Sequence, residues 1–202
     1  MAAADDMQSN RRTWSTFEEM RKAAEEGDPQ AQCYLGVCFL NGLGVPQEYG
    51  EAAKWFREAA DQNDPAAQFN LGMLYETGQG VPQNYATAVK WYHAAAEQGE
   101  AQAQFNLGVF YEQGQMVPQN FEEAVKWYHR AAEQECAPAQ CNLGLCYQTG
   151  RGVPQDTHKA VKWFIRAARQ GDKTAQHNLG VHYANQEAVE DAIAGKAPEE
   201  TQ

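Results

Sequence analysis

The chain repeats itself every 36 residues. A glutamine and a Leu-Gly pair recur in register. The glutamines are Gln32, Gln68, Gln104, Gln140 and Gln176, and the leucines are Leu35, Leu71, Leu107, Leu143 and Leu179. A second block recurs in four copies: GLGVPQ at residue 42, GQGVPQ at 78, GQMVPQ at 114 and GRGVPQ at 150. A fixed period of this length predicts an array of supersecondary units, each with two segments and a loop.

The first segment of each unit has the pattern of an amphipathic helix, which we call helix A. In the second unit, Ala67, Leu71, Leu74 and Tyr75 stand at i, i+4, i+7 and i+8, which places them on one face. Predicted N-caps, each followed by proline, are Asp28 and Asp64. Predicted helix-ending glycines of positive φ are Gly42, Gly78, Gly114 and Gly150.

The second segment predicts another helix, which we call helix B. Tyr85, Ala88, Val89, Tyr92 and Ala96 lie at helical spacing. Its predicted N-caps are Asn84, Asn120 and Asp156, and a tryptophan recurs at Trp55, Trp91, Trp127 and Trp163. One hairpin of two helices cannot bury its own apolar face, so the pattern predicts stacked hairpins.

The combined motif A-Q-x-x-L-G-x-x-Y-x-x-G-x-G-V followed by A-V-K-W-Y-x-x-A-A resembles the Sel-like repeat family, a relative of the tetratricopeptide repeats. The resemblance implies an all-α, right-handed α-α superhelix (solenoid) of antiparallel helix hairpins. It also implies an adaptor or scaffold that assembles proteins, without naming the partner. Met116 departs from the motif because it replaces the second loop glycine of the third copy, and we expect a distorted loop there.

The repeat boundaries predict the domain organisation. Residues 14–26 align with the later part of a helix B, and the VPQ block is lost from Gln186. The predicted segments are a flexible N-terminus at 1–12, a capping helix at 13–27, a repeat array at 28–185, and a C-terminal cap with a loose tail at 186–202. The array consists of units 28–63, 64–99, 100–135 and 136–171 and a half unit at 172–185.

In related arrays the A helices line the concave surface, so we expect a partner segment there. One column of this surface is a row of amides, and an amide both donates and accepts hydrogen bonds, as a peptide backbone requires. The predicted partner-binding residues are the amides Asn70, Asn106, Asn142 and Asn178, the apolar Phe69, Phe105 and Met73, and the carboxylates Glu76 and Glu112 at the edge. Two alternatives remain open: the amides tie neighbouring repeats together, and the glutamates belong to a solvated face.

The charge balance restricts the partner. A net charge of -11 disfavours nucleic acid, whose binding needs cations against phosphates, and favours a basic or neutral protein segment. The inner columns hold no lysine or arginine, so an acidic chain terminus is not expected. No segment has the length of a membrane span, and we expect a cytoplasmic protein, or a secreted or periplasmic one if a signal peptide was removed. The partner's identity and the oligomeric state remain open.

The residues that could carry chemistry fall in structural columns. Cys141 and Cys146, like His177 and His182, are five residues apart, which is a rotation of about 140° around a helix. We therefore expect no metal, no cofactor and no enzyme, with a hydrolase as the remote alternative. A further alternative is a regulatory or neutralising, immunity-type protein that covers a partner enzyme.

Overall fold

The computed structural model describes residues 14–182, which form helices and turns without any strand. The helices are α1 Phe17–Glu25, α2 Pro29–Asn41, α3 Tyr49–Asp61, α4 Pro65–Thr77, α5 Tyr85–Glu97, α6 Ala101–Gln113, α7 Phe121–Glu133, α8 Ala137–Thr149 and α9 Thr157–Arg169, and residues 173–182 form a further helix, α10. Even-numbered helices are A helices, and α3, α5, α7 and α9 are B helices. The predicted all-α helical-repeat class is confirmed.

The predicted helix ends are confirmed at atomic detail. Asp64 Oδ1 accepts a hydrogen bond from the Ala67 N–H at 2.7 Å, with Pro65 as the first helical residue. Side chains of Asp28, Asn84, Asn120 and Asp156 cap α2, α5, α7 and α9 in the same way. The glycines Gly42, Gly78, Gly114 and Gly150 have φ between 67° and 72°. These caps use backbone groups that each helix end would otherwise leave without a partner.

The chain forms two compact units, which divide between Ala103 and Gln104, inside α6. In the first unit, α2 pairs with α3 and α4 with α5, and Phe56, Leu71 and Leu74 are buried. In the second unit, α8 packs against α7 and α9 around buried residues Tyr128, Leu143 and Phe164.

Of the predicted terminal segments, the N-terminal capping helix lies almost entirely within the described residues, whereas the C-terminal cap and tail do not. Helix α1 lies inside the predicted capping segment 13–27 and packs on α2. Its Ala24 carbonyl accepts from Gln32 Nε2 at 3.2 Å, as the Ala60 carbonyl of α3 accepts from Gln68 Nε2. Helix α1 thus takes the place of a helix B. The predicted flexible residues 1–12 and the predicted cap and tail at 186–202 lie outside the described residues.

The glycines of the first four Leu-Gly pairs face an aromatic ring of a helix B, whereas Gly180 of the fifth pair has open space beside it. A Cβ on Gly36 would lie 2.7 Å from ring carbons of Phe56, and one on Gly108 would lie 2.5 Å from Tyr128. Both distances are too short for real carbon contacts. The facing pairs are Gly36 with Phe56, Gly72 with Tyr92, Gly108 with Tyr128, and Gly144 with Phe164. The pair therefore recurs because a large ring fills the space that a side chain would occupy.

The expectation of a distorted loop at Met116 is wrong. The loop at Met116 keeps the arrangement of the other loops: Met116 has a φ of 63°, close to the 71° of Gly152. Gln119 Nε2 still donates to the Glu112 carbonyl at 2.8 Å. The side chain is accommodated by backbone strain at Met116 rather than by a changed loop.

Candidate partner-binding surface

All nine predicted partner-binding residues lie on A helices and are half-buried. Helix α4 carries Phe69, Asn70, Met73 and Glu76, helix α6 carries Phe105, Asn106 and Glu112, helix α8 carries Asn142, and α10 carries Asn178. We call these positions on the A helices the A-helix surface. They are off the core stripe that holds Leu71 and Leu74.

Both glutamates of this surface accept a hydrogen bond from a buried tyrosine. Tyr92 Oη donates to Glu76 Oε2 at 2.6 Å, and Tyr128 Oη donates to Glu112 Oε2 at 2.5 Å. In the flanking repeats the equivalent pairs are Leu40 with Phe56 and Gln148 with Phe164. Glutamate thus occurs where the facing aromatic residue has a hydroxyl. This matching of two columns is visible in the sequence, and the column-by-column interpretation missed it.

The Glu112–Tyr128 pair also fixes the protonation state of the phenol. Burial first, and then the hydrogen bond and charge of Glu112, raise the pKa of Tyr128 far above its ordinary value of 10.0. Burial and the same carboxylate raise the pKa of Cys146 to about 12. Tyr128 therefore stays protonated and holds one oxygen of Glu112 in place.

The row of asparagines is not uniform. Asn142 hydrogen-bonds with Tyr128, which belongs to the preceding hairpin. Asn70 Nδ2 instead donates to the Ala66 carbonyl of its own helix at 2.8 Å. Asn178 Nδ2 is buried and has no hydrogen-bond partner among the described residues. Asn142 therefore contributes to the packing of successive hairpins, whereas Asn70 does not.

The asparagines differ in their hydrogen bonds because the preceding helix B carries tyrosine in some repeats and phenylalanine in others. The residue equivalent to Tyr128 is Phe56 before Asn70 and Phe164 before Asn178. Phenylalanine offers no hydroxyl, so those amides cannot make the bond that Asn142 makes.

Apolar side chains extend from each glutamate along one helix face. The Phe69 ring centroid is 5.6 Å from that of Tyr92, and the Phe105 centroid is 6.0 Å from that of Tyr128. Residues at i, i+4 and i+7 share a face of a helix. We call Phe69, Met73 and Glu76 the first stripe, and Phe105, Val109 and Glu112 the second stripe. The first stripe lies in the first unit and the second stripe in the second.

The thiols and imidazoles do not converge on a site. All five cysteines are free, and burial, followed by Asp172, raises the pKa of Cys141 to about 12. No group of three or more His, Cys, Asp or Glu that could hold a metal ion occurs within residues 14–182. In the same range no helix is both long and apolar enough to cross a membrane.

Stacked helical hairpins with this repeating core define the chain as a helical-repeat protein. The family model described as the Sel1 repeat matches residues 29–64, 65–100, 101–136, 137–172 and 173–190. The chain belongs to the Sel1 repeat family, whose members are generally protein-interaction scaffolds.

Solved structures agree with this assignment. A protective antigen present in uropathogenic Escherichia coli strains, which displays an SLR fold, is 39% identical with a TM-score of 0.81 over 86% of this chain. A Sel1 repeat protein from Oxalobacter formigenes is 38% identical with a TM-score of 0.78 over 81% of this chain. The present chain spans only 37% and 47% of those two proteins.

A more distant similarity concerns an immunity protein from Pseudomonas aeruginosa. It is 25% identical with a TM-score of 0.55, covering 86% of this chain and 65% of the other. A comparison with curated protein sequences gave no match.

Proposed function

We propose that the chain is a protein-interaction module that holds an extended segment of a partner against its A-helix surface. The observation that supports this most directly is the composition of the surface. On α4, the half-buried Phe69, Asn70 and Met73 lie on a helix face beside the core, although the apolar side chains would gain from further burial and the amide could be buried with them if it is hydrogen-bonded. Half-buried aromatic and methionine side chains are typical anchor sites in interfaces.

Asn70 supplies the polar part of the contact. Its Nδ2 is occupied by the Ala66 carbonyl, while among the described residues no donor reaches its Oδ1. The oxygen is then suited to accept a backbone N–H of an extended segment that passes over Met73. An amide that recognises backbone rather than side chains permits partners of varied sequence.

A displayed random-peptide library, selected against the immobilised chain, tests the proposal. We expect selected peptides to lose about tenfold in affinity on Met73→Ala, the size typical of a contact in the interface core. Lys90→Ala, on the exposed side of α5 in the same unit, is the matched control and should change affinity less than twofold, in keeping with a residue outside the interface. Equal binding to wild type and Met73→Ala would contradict a site on this surface.

A second candidate is a neutralising protein that covers a partner enzyme with much of its body. The similarity to an immunity protein over 86% of the chain favours it. This candidate predicts that cross-links to the partner form from both A and B helices and that Met73→Ala leaves the complex intact.

We propose no catalytic role and place the module in the cytoplasm. For a hydrolase, activity against broad ester and peptide substrates would have to depend on Cys141 or His177. The raised pKa of Cys141 keeps that thiol protonated and weakly nucleophilic.

A further inference from the structure

Glu76 and Glu112 are carboxylates without a cationic partner. Each is half-buried and uses Oε2 to accept from a tyrosine, and within residues 14–182 neither forms an ion pair. Two glutamates on the B helices are different: Glu51 pairs with Lys54, and Glu123 pairs with Lys126 at 2.9 Å. The A-helix surface therefore presents negative charge that the chain itself does not neutralise.

The sequence places no lysine or arginine beside either glutamate on its A helix. The A helices α2, α4, α6 and α8 contain no lysine and no arginine, whereas every one of α3, α5, α7 and α9 contains at least one. With a net charge of -11, the surroundings add to the negative potential around both glutamates.

A neutral residue at the position of Glu76 or Glu112 would lose less free energy on partial burial than a carboxylate does. Leu40 and Gln148 occupy this position in the flanking repeats, where the facing residue is phenylalanine, and a glutamine oxygen could also accept the tyrosine hydroxyl, although through a weaker bond than a carboxylate forms. A half-buried charge without a partner is unfavourable, and a cation brought by a ligand removes that cost. The tyrosines thus account for an acceptor oxygen at these two positions, whereas a cation of a ligand would account for its negative charge.

We infer that each stripe by itself binds a lysine or arginine of a partner segment, with apolar residues of that segment beside it. This rests on the proposed function and specifies its partner as a basic, apolar segment. The free Glu76 Oε1 accepts from the cationic group, while Phe69 and Met73 contact the methylene stem or a neighbouring apolar side chain. The second stripe repeats the arrangement with Glu112, and the tyrosines hold both carboxylates in a fixed orientation.

The test uses the same random-peptide library and a double variant, Glu76→Gln with Glu112→Gln. Glutamine keeps an oxygen that accepts from Tyr92 and Tyr128, so the fold is retained and only the charge is lost. Glu58→Gln with Glu122→Gln is the matched control, because it removes two charges from exposed positions on B helices, one in each unit.

We expect lysine or arginine next to an apolar residue in the selected peptides. Their affinity should fall by about tenfold for the Glu76/Glu112 double variant and less than twofold for the control, and the salt dependence of binding should weaken only in the former. Replacing the peptide's lysine by norleucine should cause the same loss in wild type and no further loss in the variant.

Two results would overturn the inference. If peptides depend on Met73 but bind the Glu76/Glu112 double variant as tightly as wild type, the basic-segment inference is wrong and the proposed function remains. If no selected peptide depends on Met73, the proposed function and this inference both fail.

Discussion

At the residue scale, the repeated glutamine of helix A is a buried connector between two helices. Gln68 Nε2 donates to the Ala60 carbonyl at the end of α3, and Gln68 Oε1 accepts from Gln98 Nε2 at 2.8 Å. Gln32 makes the equivalent bonds with Ala24 and Gln62. The side chain uses its donor and its acceptor at once, and both lie where water cannot replace them. This double requirement explains why the glutamine recurs in the four repeats where it is buried; Gln176 is exposed, and within the described residues its side chain bonds only to the Ala168 carbonyl.

Gln32→Ala should lower the free energy of unfolding by about 1–3 kcal/mol, because it removes two side-chain hydrogen bonds and most of a buried side chain. Gln30→Ala is the control on the same helix; that side chain is exposed and should change stability by less than about 0.5 kcal/mol. Urea unfolding followed by circular dichroism measures both. Equal effects of the two changes would show that the buried bonds contribute nothing.

At the element scale, helix ends were predictable and contacts between helices were not. Asp64, Pro65 and Gly78 act through their own neighbours in sequence, so residue type and position alone placed the ends of α4. The Glu112–Tyr128 bond joins residues 16 apart on two helices, and nothing in the period of one helix indicates it. The same limit applies to Asn142, whose partner depends on whether the preceding hairpin carries tyrosine or phenylalanine.

Met116→Gly should raise the free energy of unfolding by about 1 kcal/mol. A non-glycine residue with a left-handed backbone carries strain of this order, and Met116 has a φ of 63°. Glycine's larger entropy in the unfolded chain offsets part of the gain. The equivalent Gly152, where an added Cβ would collide with the Phe121 carbonyl oxygen, is the control, and Gly152→Ala should destabilise. Thermal unfolding of both variants is the measurement; a destabilised Met116→Gly would contradict the strain.

At the scale of the whole molecule, the repeats share one scaffold and differ in surface chemistry. Core positions such as Leu71, Leu107 and Leu143 are identical and fully buried. The carboxylate position instead reads Leu40, Glu76, Glu112 and Gln148. The period therefore predicted the fold from identity between repeats, while the inferred binding of a basic segment depends on a position at which the repeats differ. A single sequence does not state which differences are selected by a partner.

The buried thiols predict how the whole protein responds to alkaline pH. Burial raises the pKa of every cysteine from its ordinary value of 9.0, that of Cys141 to about 12. In the unfolded chain the thiols ionise near pH 9, while in the folded chain they stay protonated. The free energy that favours the folded state is thus fully present below pH 9 and is lost as the pH rises toward 12. Stability should fall as the pH rises past about 9.

Cys141→Ala isolates one contribution to this fall. The substitution lowers stability at neutral pH through lost packing, but that loss is the same at every pH. The decrease between pH 7.5 and 9.5 should be smaller than in wild type by about 0.8 kcal/mol, the linkage free energy of one thiol that ionises only when unfolded. Urea unfolding under reducing conditions at pH 7.5, 8.5 and 9.5 gives both curves. Parallel curves would mean that Cys141 ionises equally in both states and that its burial does not control its pKa.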